Sequence, residues 1–362
     1  MDRRAFLRTT ALTSAAAASF ARLPKLWAGS TADNRWRAFE VTTRVEILSP
    51  SGVTRAWVPL PLGEDTDYHR TLGRTWSGNA ASPQAVRDPR YGAGFVVAEW
   101  PAGTAPVLEV VSRIATRDRH VDLSAPGIAP VEDPAVLRRY LEPTELIRTD
   151  GIVEATAREI TRTAGTDMEK ARALYEWIVE NTFRDPKVRG CGLGDIQSML
   201  ETKNLGGKCA DLNALFVGFA RSLGIPARDV YGIRVADSAD FKSLGRSGDI
   251  TKAQHCRAEF YAAGRGWVPV DPADVRKVAL EEKAGGLPLD DPQVVKARAK
   301  LFGAWEMNWL AYNYAHDLAL PGWRGATLPF LMYPQAETGA GLLDSLDPDT
   351  FRYTIKSREV SL

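Results

Sequence analysis

Three residues that together can perform nucleophilic acyl chemistry fall in order along the chain. They are Cys209 in "NLGGKCADLNALFVGFARSLGIPAR", His255 in "QHCRAEFYAAG" and Asp271 in "GWVPVDPAD". A thiol becomes a strong nucleophile when a neighbouring base takes its proton, and the base is oriented when a carboxylate holds its other ring nitrogen. Leu212, Leu215, Phe216, Phe219 and Leu223 recur at helical spacing, and Gly224 followed by Pro226 ends the run, so Cys209 starts a helix. The partial positive charge of a helix N-terminus favours thiolate over thiol. Gly206 and Gly207 let the backbone approach closely and are expected to leave the thiol facing outward.

Residues 254–271 read as two strands joined by a glycine-containing turn. Folding about Ala263 sets His255 against Asp271, with the register open by a residue or two because a bulge at Gly264 would shift it. Imidazole and carboxylate then stand on neighbouring strands within cross-strand reach. Asp271 has a second use open to it, capping the turn that "PADVRKV" begins. Cys256 points to the opposite face from His255 and is expected in the core. Cys191, in the glycine-rich "RGCGLGD", is either inert or able to pair with Cys209 in an oxidising compartment. An acyl-transfer site also needs donors for an oxyanion: the Cys209 N–H is one candidate, and Gln197 and Asn204 compete for the second place.

These segments resemble those of the transglutaminase-like superfamily. "GGKCADLNALFVGFARSLGIPAR" matches its nucleophile segment, "HCRAEFY" its histidine strand and "GWVPVDPAD" its aspartate strand, within a likeness that spans about residues 140–280. The resemblance implies Cys209 as nucleophile, His255 as general base and acid, and Asp271 as the orienting carboxylate of a papain-like triad that uses no metal or organic cofactor. The implied activity is hydrolysis of peptide or protein amide bonds through an acyl-enzyme thioester. Two alternatives stand beside it: glutamine acyl transfer to amines, and a non-catalytic periplasmic binding module on the same fold.

The elements that must position these residues give an α+β fold. A helix bearing the cysteine packs on an antiparallel sheet, in a papain-like or transglutaminase-like core preceded by a small β-sandwich. Residues 35–122 alternate as strands and form the sandwich, with Trp57 and Trp100 in its core; the proline-rich stretch 122–134 links it to a catalytic core over 135–290. Thr166 and Glu169 form a capping box ahead of a helix that buries Ala171, Leu174, Tyr175 and Ile178. The aromatic-rich extension 291–362 is expected to pack on the core through Trp305, Trp309, Tyr312 and His316. A cleft-lining role with Trp323 and Tyr333 at the substrate is its alternative, and "FRYTIKSREV" could complete either sheet.

Forty-six basic against 45 acidic residues leave a net charge of +1 with no long basic run, which argues against nucleic acid or an anionic membrane surface as partner. The N-terminus carries Arg3 and Arg4, then a short, weakly apolar Ala, Ser and Thr stretch, as a twin-arginine signal does. Residues 1–29 are read as that signal, cleaved after Ala21 or Ala28, and the stretch is too short for the about 20 apolar residues of a stable membrane anchor. The translocation machinery is then a partner and the periplasm the destination. Three cysteines leave at least one unpaired within the chain, and four histidines without a Cys-x-x-Cys pair argue against structural zinc.

Overall fold

In the computed structural model, which describes residues 35–124 and 127–362, the alternating stretches of the first third are strands; the expected signal at 1–29 lies outside the described residues. Strand Arg37–Ile47 shows the cause: Phe39, Val41, Val45 and Ile47 are buried, while Glu40, Thr42, Arg44 and Glu46 between them keep contact with solvent. It pairs antiparallel with Val107–Thr116 on one side and with Phe351–Val360 on the other. A second antiparallel sheet joins Thr54–Pro59 to Gly94–Trp100 and to Gln335–Thr338. Val45, Val58, Val96, Trp100, Leu108 and Phe351 fill the space between the two sheets. The closing segment therefore completes the sandwich, whose strands come from both ends of the described chain.

The region expected to hold the site is built on a four-stranded antiparallel sheet in the order Gly266–Val270, Gln254–Ala262, Ala227–Arg234, Trp309–Asn313. Helix Cys209–Ser222 lies on one face, where Leu212, Leu215, Phe216 and Phe219 share a core with Ala258, Phe260 and Val268. Helices Gly151–Ile160 and Asp167–Asn181 pack on the same helix, so every residue from Cys209 to Arg221 is buried. Gly218 marks a further close approach, of helix Ile196–Thr202: a Cβ there would lie 2.2 Å from Cδ1 of Ile196. The Thr166–Glu169 capping box forms at the start of Asp167–Asn181. Ile233, Leu310 and Tyr312 meet Phe39, Val41 and Ile114 in a further apolar cluster, which joins the sandwich to the four-stranded sheet. Among the described residues no helix is long and apolar enough to cross a membrane.

The hairpin turns about Gly264 and not about Ala263, since its pairs run from Ala258 opposite Val270 to Ala262 opposite Gly266. Gly264 and Gly266 both take positive φ, at 76° and 72°, which a glycine-free turn would not tolerate. The register thus differs by two residues from the expected one and sets Asp271 toward Arg257. A shift of two preserves the strand period, so His255 and Asp271 remain on one face as diagonal neighbours.

Strand Ala227–Arg234 changes register against Trp309–Asn313 between Tyr231 and Gly232. A Cβ on Gly232 would stand 2.1 Å from the Leu310 carbonyl oxygen and 2.4 Å from the Trp309 ring. Neither neighbour can swing away, because one is backbone and the other donates its indole N–H to the His255 carbonyl at 2.9 Å. Gly232→Ala is therefore expected to destabilise the protein by about 3 kcal/mol, read as a lower midpoint in urea; an unchanged midpoint would show that the sheet absorbs the methyl group.

Candidate active site

Cys209 is the first residue of its helix, so its N–H has no intrahelical acceptor. One turn of sequence fixes this end. Both Asp211 oxygens accept backbone N–H groups, Oδ1 from Leu193 and Gly194 and Oδ2 from Lys208, each at 2.9 Å. This ties the 190–194 loop to the helix start. The glycines around the cysteine make room for that carboxylate: a Cβ on Gly192 would lie 1.8 Å from Asp211 Oδ2, and one on Gly207 2.5 Å from Asp211 Cβ. Packed from every side, the thiol does not face outward as expected; Cys209 is only 4% exposed.

His255 is the second residue of its strand, and its Nε2 stands 2.7 Å from Asp271 Oδ2. Nδ1 is left for the thiol. Asp271 combines the two uses left open by the sequence, since it also N-caps helix Pro272–Glu281 by accepting the Asp274 N–H at 3.0 Å. Asn213, one turn beyond Cys209, donates to the Cys256 carbonyl at 2.9 Å and to Asp271 Oδ1 at 3.2 Å, and accepts the Ala273 N–H at 3.3 Å. One amide thereby links nucleophile helix, histidine strand and aspartate helix. The structure thus brings all three expected residues together, and adds Asp211, Asn213, Asp274 and Arg234.

The other two cysteines also converge here. Cys191 accepts the Ala210 N–H at 2.9 Å through its carbonyl, and its thiol donates to the Gln254 carbonyl at 3.4 Å. It therefore bridges the helix start and the histidine strand. Cys256 is in the core as expected, on the face that meets the nucleophile helix. All three are free thiols. Of the candidate oxyanion donors, the Gln197 amide is engaged with Glu201 at 2.7 Å, and Asn204 Oδ1 accepts the Gly206 N–H at 3.3 Å. Tyr333, a candidate substrate contact, is buried, with its hydroxyl against the loop at Gly190, next to Cys191.

Hydrogen bonds from Cys191 and then Cys256, reinforced by His255, hold the Cys209 thiol well below its ordinary value against the effect of burial. The partners shift the other way: the Cys209 contact and burial push Cys191 well up, and burial followed by Cys209 does the same to Cys256. Burial would lower His255, yet Asp274 and Asp271 outweigh it and Arg234 together and raise the imidazole to about 9. Both shifts favour the thiolate and imidazolium forms of the pair. The ligand atoms of His255, Asp271 and Asp274 lie within 4.8 Å of one another, close enough to suggest a cation site. Arg234 already meets Asp274 at 2.6 Å and Arg257 approaches Asp271 at 3.7 Å, so protein cations balance these carboxylates and the cluster is an ion-pair network.

Residues 154–272 match the core of the transglutaminase-like superfamily. An uncharacterized protein of Haemophilus influenzae is 36% identical over 342 residues, which cover 89% of this chain and 91% of that one. Among solved structures, a candidate cysteine protease from Cytophaga hutchinsonii covers 91% of this chain and 92% of its own, with a TM-score of 0.57 at 14% identity, a likeness of fold.

The thiol shifts have a direct chemical readout. Iodoacetamide at mildly acidic pH is expected to label the native protein once, at Cys209, where an ordinary thiol of pKa about 8.5 reacts slowly. Labelling that begins only near the ordinary thiol range, or that reaches Cys191 or Cys256 first, would contradict the assignment of Cys209 as the activated thiol.

Proposed function

The chain belongs to the transglutaminase-like superfamily, and from that membership we propose that it is an exported cysteine-dependent hydrolase of amide or peptide bonds. The observation that carries this reading is the helix-start thiol, whose shift favours the ionised form, beside an imidazole whose Nε2 is bonded to a buried carboxylate at 2.7 Å. A binding module has no use for that polarised set.

The chemistry follows from the positions. The Cys209 thiolate attacks the amide carbonyl carbon, and the carbonyl electron pair moves to oxygen, where the Cys209 N–H at the helix N-terminus can receive it. The His255 imidazolium gives its Nδ1 proton to the leaving nitrogen, the C–N bond breaks, and a thioester remains. Neutral His255 then takes a proton from water as its oxygen attacks the thioester. The acid departs, and the thiolate and imidazolium are restored. Asp271 keeps the ring in the tautomer that presents Nδ1 to the sulfur throughout. Hydrolysis is read over transfer to amines from the glycine-rich and polar composition of the loops that lead to Cys209, although the thiol itself is enclosed.

Export by the twin-arginine route is part of the proposal and rests on Arg3, Arg4 and the weakly apolar stretch after them. The three free thiols agree with it, since a chain without disulfides can finish folding in a reducing cytosol before export.

Cys209→Ala should fold normally and lose all turnover, because only the reacting atom is removed. For the active protein, a glutamine-containing peptide with excess primary amine should give mostly free acid; mainly amide adduct would overturn hydrolysis in favour of transamidation. For export, replacing Arg3 and Arg4 by lysine should hold folded protein in the cytosol, and its normal appearance in the periplasm would sink the twin-arginine route.

A further inference from the structure

Asp274 stands three residues after Asp271 in the first turn of helix Pro272–Glu281, and the chemistry above gives it no task. It is 1% exposed. Its Oδ1 is bonded to Arg234 at 2.6 Å, and its backbone N–H reaches Asp271 Oδ1 at 3.0 Å. Its Oδ2 makes no hydrogen bond of good geometry, yet lies 3.3 Å from His255 Nε2, the nitrogen that Asp271 holds. A buried carboxylate oxygen without a partner is destabilising, so its placement at an imidazole N–H requires a reason. We propose that Asp274, anchored by Arg234, is a positioning residue of this site: a second carboxylate that shares the Nε2 side of His255 with Asp271 and makes the triad a tetrad. The proposal rests on the cysteine-hydrolase reading of Cys209 and His255.

The two carboxylates are not redundant. Burial and then the adjacent Asp274 push Asp271 up, whereas Asp274, which burial alone would raise, is held well below the ordinary carboxylate range by Arg234 and then His255. Asp271 has the shorter bond and sets the ring's direction; Asp274 is the more firmly ionised and supplies steadier negative charge. The positive end of their shared helix favours both anions. The charged and titratable groups facing His255 are Asp271 and Asp274 on that helix, Arg234 on the neighbouring strand, Arg257 on its own strand and Cys209 on the nucleophile helix. Lys277 adds a more distant cation that acts on Asp274. Asp274 exerts the strongest through-space attraction in this set, while Asp271 adds a hydrogen bond to its own, so loss of Asp274 must let the imidazolium release its proton at lower pH.

The test is Asp274→Asn, which keeps the shape and removes the charge. The ring signals of His255 are followed by NMR against pH in histidine-labelled protein, which four histidines make tractable. The His255 midpoint, about 9 in the unmodified protein, should fall by about one to three pH units. The alkaline limb of turnover should fall with it, with kcat reduced and KM nearly unchanged, and Asp274→Glu should restore part of the shift. A merely structural Asp274 would lower stability and leave the midpoint in place. Should Asp274→Asn fail to fold because Arg234 is left unpaired, Asp274→Asn with Arg234→Gln removes both charges. The midpoint should then move the same way by less, because Asp274 outweighs Arg234 at His255. An unmoved midpoint in a folded variant overturns the proposal. The NMR readout needs no substrate, so a shifted midpoint in a protein that hydrolyses no amide would retain the tetrad and reject the hydrolase reading.

Discussion

Ions held away from water must be paired, and that constraint organises the whole site. His255, Asp271, Asp274, Arg234 and Arg257 are each no more than 3% exposed, and Cys209 is 4% exposed. With the thiol and the imidazole ionised, three cations (His255, Arg234, Arg257) face three anions (Cys209, Asp271, Asp274). Each charge is tolerable because the others are present, since a lone buried ion would shift its pKa and neutralise. The thiolate is therefore a property of the network and not of Cys209 alone. The same mutual dependence explains the opposite shifts of two carboxylates that share one helix turn: Arg234 lies against Asp274, leaving Asp271 to the imidazole.

Pairing requires geometry, and two short polar side chains on the nucleophile helix supply much of it. Asp211 gathers three N–H groups from the loop and helix start, and Asn213 joins the helix to the histidine strand and the aspartate helix. Within five residues the chain thus places the nucleophile, the clamp on its loop and the link to its partners. The aromatic extension braces the same strands from the other face. The Trp309 indole donates to the His255 carbonyl at 2.9 Å and the Trp305 indole to the Val270 carbonyl at 3.3 Å, beside Asp271. Core packing, which their sequence context implies, accounts for their burial and not for these bonds.

What the sequence shows and what it hides divide along the range of the interactions. Cys209, His255 and Asp271 are legible because helix start, strand and hairpin are local patterns, and even a register off by two leaves parity intact. Asp274 is not legible, since an aspartate in the first turn of a helix has an ordinary use there; only Arg234, forty residues earlier, reveals the other one. The outward-facing thiol fails for a related reason. A leucine and phenylalanine stripe suggests one buried face, but Ala210, Ala214, Gly218 and Ala220 fill the remaining sides with small residues, and helices pack against those as well. The pairing of Arg37–Ile47 with Phe351–Val360 has no local signature, because its partners lie about as far apart as the chain allows.

That long-range pairing also bears on the site. The chain runs from strand Trp309–Asn313 of the four-stranded sheet back to Gln335–Thr338 and Phe351–Val360 of the sandwich, and on the way Tyr333 and Leu346 meet the Cys191 loop. Gly190, at φ 58°, records the contact: a Cβ there would lie 2.7 Å from Leu346 Cδ1 and 3.0 Å from the Tyr333 hydroxyl. Arg189 and Asp344 close the same junction with an exposed ion pair at 2.5 Å, worth little by itself. The stronger hold is the antiparallel ladder on either side, which fixes the ends of the covering segment. The sandwich strands thus hold the segment that lies against the Cys191 loop. Through the bond of the Cys191 carbonyl to the Ala210 N–H that contact reaches the start of the Cys209 helix, so sheets that carry none of the site's ionised residues still constrain where the thiol stands.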